Sequence, residues 1–253
     1  MPPLEETRRT LIDLSHELGA PERDLAILGE GNTSARLSDE TFIVKASGSS
    51  LGTLREGDVV ECRFAPLLAL MEKAEASGDE IEEVLFGCRV DPQAKKPSIE
   101  ALFHAWLLSL PGIGFVGHTH PIAVNGILCS PMAEQFAARR IFPDEIVCCG
   151  TSSVFVPYAD PGLKLSQIIA SQTESWMKSN GVPPRVIVLQ NHGIITLGAT
   201  AAAVKAAMFM AVKAADIFVR SVPLGGPVFL TEDQIASIAG RRDEHYRQRA
   251  LNL

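Results

Sequence analysis

The sequence contains no CxxC pair, no long uninterrupted apolar run and no surplus of positive charge. Each absence excludes something. The five cysteines, Cys62, Cys88, Cys129, Cys148 and Cys149, are odd in number and lack metal-type spacing. Buried, reduced thiols are therefore expected rather than a secreted disulfide framework. The formal net charge of −7 argues against a broad nucleic-acid surface, which is ordinarily basic. An anionic small substrate stays compatible, because one local pocket can still be positive. The N-terminal stretch MPPLEETRRTLIDLSHELGA is a charged amphipathic pattern, not the apolar core of a signal peptide. The most apolar later stretch, residues 199–222, carries Lys205, Lys213, Asp216 and Arg220 and does not read as a membrane span. A cytoplasmic protein with no membrane or nucleic-acid partner is the expectation. Repeats and low-complexity linkers are also missing, which leaves one mixed α/β domain over residues 1–253 as the economical organisation.

Apolar residues make up 46% of the chain and are spread along it, enough for a sizeable core. Leu4, Leu11, Leu14 and Leu18 predict a helix over residues 4–18. LGEGNTSARL reads as turn-rich and FIVKASG as a strand followed by a loop. Residues 64–76 have helical spacing, whereas 78–97 suggest a short apolar strand and an exposed loop. Ser98 is a natural N-cap for a helix through EALFHAWLLSL, ended by Pro111-Gly112. IGFVGHTH is a β-type run, and residues 122–128 start a helix. EIVCCG, SVFVPY and RVIVLQNHGIITLG are strand candidates, and residues 163–178 and 199–220 are helical by pattern. The last helix is expected at Thr231, with Gln234 completing a capping box.

Six histidines are present, and three stand where a metal could be held. His118 and His120 are two apart on a predicted strand, so both leave the same face. His192 follows the apolar run VIVLQ and precedes Gly193, where a strand turns back. Three neutral imidazoles with an open position form a catalytic-zinc pattern, although imidazole also suits other transition metals. His104 lies four residues after Glu100 on one helical face and reads as a packed histidine. His16 and His245 lie on amphipathic terminal helices and carry no site argument. GEGNTS begins like a dinucleotide fingerprint, but it lacks the third glycine and leads into a strand-like segment.

Four segments in order, GEGNTSARL, PSIEALFH, GHTHP and LQNHG, resemble the class II aldolase/adducin family, which includes the fuculose-phosphate aldolases. The match spans roughly residues 5–220. GEGNTSARL followed by FIVKASGSSL is most similar to the aldolase portion of bifunctional rhamnulose-phosphate aldolase/dehydrogenases, and the chain is too short to hold the dehydrogenase portion as well. The resemblance implies a three-layer α/β/α sandwich around a mostly antiparallel central sheet, assembled as a homotetramer with active sites between subunits. It implies His118, His120 and His192 as zinc ligands and Glu100 as the catalytic acid/base, near the metal when no substrate is bound. Tyr158 in VPYADPG matches a tyrosine supplied by the neighbouring subunit, and Tyr246 is available for a second, C-terminal one. Asn32, Ser47, Gly48 and Ser98 map onto positions that hold a substrate phosphate. Ile99 departs from the fuculose-type pattern of two serines before the glutamate, so one hydroxyl donor is missing.

The residues fit retro-aldol cleavage of a ketose phosphate to dihydroxyacetone phosphate and an aldehyde. That reaction needs a base for a hydroxyl proton, here Glu100, and a Lewis acid for the resulting enediolate. Decarboxylation or dehydration of a sugar-acid or sugar phosphate would use the same site. Sugar-phosphate 4-epimerases of the family carry aspartate where this chain has Glu100. Adducin-type interaction modules share the fold but lack the three histidines.

Overall fold

Apolar side chains point alternately to either side of the strands, and this decides how the chain layers itself. In the computed structural model, which describes residues 4–250, the elements run α1 (Leu4–Leu18), β1 (Asn32–Arg36), β2 (Thr41–Lys45), β3 (Val59–Arg63), α2 (Phe64–Met71) and α3 (Gly78–Gly87). Next come α4 (Ala101–Ser109), β4 (Phe115–Thr119), α5 (Ile122–Leu128), α6 (Ala133–Ala138), α7 (Pro143–Cys149) and β5 (Val154–Val156). The remainder is α8 (Leu163–Asn180), β6 (Val186–Leu189), β7 (Gly193–Gly198), α9 (Ala201–Ser221), α10 (Glu232–Ala239) and α11 (Arg242–Ala250). The strands form one sheet in the order β3-β2-β1-β4-β7-β6-β5. Every pairing is antiparallel except β5 with β6.

One face of the sheet gives Val44, Val116, Ile187, Leu189, Ile195 and Leu197 to a core shared with α2, α4 and α8. The other face gives Val186, Val188 and Ile194 to a core under α5, α7 and α9, with Ala35 and Ile43 packed on Leu11 of α1. Ile187 and Val188 enter opposite cores because side chains alternate along a strand. Each fully buried aliphatic side chain contributes about 1.5–3 kcal/mol. The expected α/β/α layering around a mostly antiparallel sheet is therefore the observed architecture. No helix among the described residues is long and apolar enough to cross a membrane.

Two helices come unusually close to the strand that carries the site. Gly117 on β4 has no side chain, and a Cβ there would lie 2.9 Å from Val204 of α9 and 3.0 Å from Leu18 of α1. Thr200 caps α9 by accepting the Ala203 N–H at 3.1 Å, which starts the helix directly after β7.

Several local expectations are corrected. EIVCCG is not a strand: its first five residues lie in α7 and Gly150 caps it, because Pro143 at the first helical position and the following acids start a helix that outweighs the β-preference of the later residues. The expected strand within 78–97 is α3, capped by Ser77, whose side chain accepts the Glu80 N–H at 3.2 Å. The turn-rich reading of LGEGNTSARL stops at Gly31, since Asn32–Arg36 pair with both β2 and β4. The helix at residue 64 ends at Met71 rather than running to 76. The helix after Ser98 begins at Ala101, because Ser98–Ala101 form a turn first. The Thr231–Gln234 capping box is present, but α11 follows α10, so it does not open the last helix.

Candidate metal centre

β4 and the β6–β7 hairpin bring three imidazoles together. His118 pairs with Ile195 of β7 and with Asn32 of β1. His120 lies just past the end of β4, where its N–H donates to the Leu25 carbonyl at 2.8 Å. His192 occupies the tight turn between β6 and β7, with Leu189 and Gly193 paired across it. Asn191 takes the left-handed conformation there, with φ of 55°, which asparagine tolerates better than most residues. Gly193 is required: a Cβ would lie 2.6 Å from both the His120 ring and the Thr119 carbonyl. Asn125 of α5 donates to the His192 carbonyl at 3.0 Å and holds the turn.

One nitrogen from each of His118, His120 and His192 lies within 4.8 Å of the others. The Ile194 carbonyl can only accept, so His118 Nδ1 donates to it at 3.0 Å and turns Nε2 toward the other two rings. That Nε2 lies 3.0 Å from His120 Nε2 and 3.4 Å from the Glu100 carboxylate. His192 Nε2 is also 3.4 Å from the same carboxylate oxygen. Lone pairs facing one another and a carboxylate repel unless protons or a cation lie between them. His120 resists protonation: burial, then the charges of His118 and His192, push it down to about 3. A single divalent cation satisfies all three rings and the carboxylate, so the donor set fits a catalytic metal. On the far side of its ring, His120 Nδ1 faces Glu30 at 3.9 Å.

Glu100 sits at the head of α4, with its side chain 12% exposed. Burial alone would raise its carboxyl, but the charge and hydrogen bonds of His118 and His192 hold it well below the usual carboxylate range. Its other oxygen accepts a hydrogen bond from Asn32 Nδ2, and its own N–H donates to Ser98 Oγ at 3.3 Å. Ser98 therefore serves the turn ahead of α4 rather than the helix itself. The Ala46–Pro97 bridge and the Ser47 N–H donated to the Lys96 carbonyl at 2.9 Å bring the Ser47–Gly48 loop beside Ser98.

His104 is fully buried behind this group, with Nδ1 2.7 Å from Ser34 Oγ and its ring stacked on Phe103. Burial pushes it down to about 3, in line with a packed neutral ring. The Tyr158 hydroxyl donates to Asp160 at 3.0 Å, which raises the phenol. No hydrogen bond joins Tyr158 to the imidazoles or Glu100 among the described residues. Tyr246 is exposed on α11, and the His245 side chain lies outside the described residues. Sequence reasoning missed Glu30 and Asn125. Glu30 stands inside a motif already singled out, but nothing marks the mid-helix Asn125.

Comparison with known proteins bears on the fold and the family. The chain is 29% identical over 198 residues to "Uncharacterized oxidoreductase YuxG" of Bacillus subtilis, covering 75% of this chain and 26% of that protein. It thus spans about a quarter of that relative's length. It is 29% identical over 179 residues to the 3-oxo-tetronate 4-phosphate decarboxylase of Haemophilus influenzae, covering 70% of each. The N-terminal Class II Aldolase domain of a conserved protein from Thermoplasma acidophilum superposes with a TM-score of 0.69 at 25% identity, over 87% of this chain and 97% of that one. The model of the Class II Aldolase and Adducin N-terminal domain matches residues 9–219, and the chain belongs to that family.

Proposed function

We propose that residues 1–253 form one domain of a cytoplasmic, homotetrameric lyase that cleaves a ketose phosphate to dihydroxyacetone phosphate and an aldehyde. The observation that carries this reading is the Glu100 carboxylate, 3.4 Å from two of three converging imidazole nitrogens. His118, His120 and His192 would hold a zinc-like divalent cation. When bound, it supplies Lewis-acid stabilisation of negative charge on the substrate's oxygens. Glu100, ionised and steered by Asn32, takes the hydroxyl proton at its carboxylate and returns it to the product carbon. Asn32, Ser47, Gly48 and Ser98 receive the phosphate. Tyr158, 56% exposed, is offered to the site of a neighbouring subunit.

A second reading, decarboxylation of a 3-oxo acid phosphate, is favoured by the similarity to the Haemophilus influenzae decarboxylase. The two are separated by products. Purified protein is analysed for metal beside the His118→Ala, His120→Ala double variant, then assayed on ketose 1-phosphates and 3-oxo acid phosphates. About one divalent metal per chain, lost in the double variant, with aldehyde released by wild type, is expected. Carbon dioxide without aldehyde would replace the aldolase reading with the second. A wild type that neither contains nor takes up metal removes both.

A further inference from the structure

The metal centre lies where β4 and β6 finish, and the opposite end of the sheet carries a cavity of its own. Arg185 stands there, directly before Val186, the first residue of β6. The cavity beside it measures about 330 Å³ and lies between the C-terminal ends of α7 and α8 and the helices α10 and α11. That volume falls at the small end of ligand sites. A second hollow of about 260 Å³ also borders Arg185, lined by Pro111, Leu197 and Ala203. The family model ends at residue 219, so the wall given by Ile238, Glu244 and Gln248 belongs to chain beyond it. Gln248 Nε2 donates to the Val147 carbonyl at 2.8 Å and ties α11 to α7.

Arg185 spends only one side of its guanidinium on the chain. Nη1 donates to the Val147 carbonyl at 2.5 Å and, at 3.5 Å, to that of Cys148, which helps to satisfy the end of α7. Nε and Nη2, which form the other edge, have no hydrogen-bond partner among the described residues, and no carboxylate there lies within ion-pair distance. Such an edge is a rigid two-pronged donor that matches a carboxylate. Trp176 lines the same cavity, its indole held by the Nε1–H donated to Ser152 Oγ at 3.2 Å. Val182 and Pro183 extend the apolar wall. Two features count against a polyanion. Glu244 brings a negative charge, which also acts on Arg241. The carbonyl end of α8, at Asn180 and Gly181, is the negative pole of a helix. One cation between apolar walls therefore suits a ligand with a single negative charge and a flat apolar body.

We propose that this cavity is a binding site, separate from the metal centre, for a small aromatic monocarboxylate. Its carboxylate takes the Nε–Nη2 edge of Arg185, and its ring packs on Trp176.

The test is calorimetric titration of the full chain with benzoate, beside acetate and phthalate, for wild type, Arg185→Gln and Val182→Asp. Wild type is expected to bind benzoate saturably. Acetate, which lacks the ring, and phthalate, which adds a charge, should bind at least about tenfold more weakly. Arg185→Gln should weaken benzoate at least about tenfold. Val182→Asp places a carboxylate on the wall at a position 57% exposed, where substitutions seldom unfold a protein, and should weaken benzoate as much. It carries the test should Arg185→Gln not fold. In a Trp106→Phe background Trp176 is the only tryptophan, and its emission should change with the same saturation. The His118→Ala, His120→Ala double variant should bind benzoate as wild type does; binding lost there would put benzoate on the metal centre and overturn the proposal. Wild-type affinity in either wall variant, an unmoved Trp176 emission, or no saturable binding by wild type would overturn it too. Phthalate bound as tightly as benzoate would overturn the restriction to one charge.

Discussion

Among the described residues Glu145 is buried and Glu100 nearly so, and their surroundings push them in opposite directions. Glu145, on α7, lies 3.7 Å from Arg140 and accepts the Ile141 N–H at 2.8 Å. Burial wins there, and its carboxyl is raised despite the guanidinium. Glu100 faces the same penalty, yet the imidazoles lower it well below the usual range. The hydrogen bonding around them differs as well. Arg140, 1% exposed, spends its donors on the carbonyls of Gly150, Ala137, Arg139 and Cys149 and on Ser153 Oγ. Around Glu100, buried atoms lack partners: Asn32 Oδ1 and His104 Nε2 accept and donate nothing. Asn125 Oδ1, behind the His192 turn, is likewise unmet. A buried charge saturated from within the chain holds the fold. Buried polarity left incomplete, with lone pairs turned toward one point, is arranged for something that arrives from outside.

That contrast breaks most sharply at Glu100. Glu100→Gln keeps the shape and removes the base, so turnover should fall about 10²–10⁴-fold while metal content stays level. Metal lost in proportion to activity would show that Glu100 holds the cation rather than moving a proton. At the other corner, Arg140→Met leaves Glu145 buried without its partner, and urea unfolding should show a loss of about 3–5 kcal/mol. Metal per folded chain should not change; a variant with wild-type stability would deny that corner its structural role. The smallest effect is expected at Glu30, which faces the outward nitrogen of His120. Glu30→Gln should weaken zinc affinity about 10–100-fold in a chelator competition, because a carboxylate behind a ligating imidazole fixes its orientation and raises its basicity. Unchanged zinc affinity would reduce Glu30 to its other visible task, accepting the Ile27 N–H at 2.9 Å.

Much of this was legible along the chain because strand periodicity is strict. Alternation placed His118 on one face of β4, and Gly193 after the apolar run VIVLQ placed His192 at a turn. Helix starts were read less well. Ser77 before α3 and Pro143 at the start of α7 are ordinary start signals, but the apolar, β-branched residues that follow them masked both. Asn125 left no trace, since an asparagine within a helix matters only through the turn that happens to lie beside it.

The amino-acid sequence by itself determined the layer type, the family and the three histidines, because these depend on local period and on short ordered motifs. Only the tertiary structure decided which atoms meet. Asn32 lies 68 residues before Glu100, and His118 lies 74 before His192. Their approach depends on sheet order and on Gly193 leaving room for two rings. Such distances follow from the packing of the whole chain, and no window of sequence contains them.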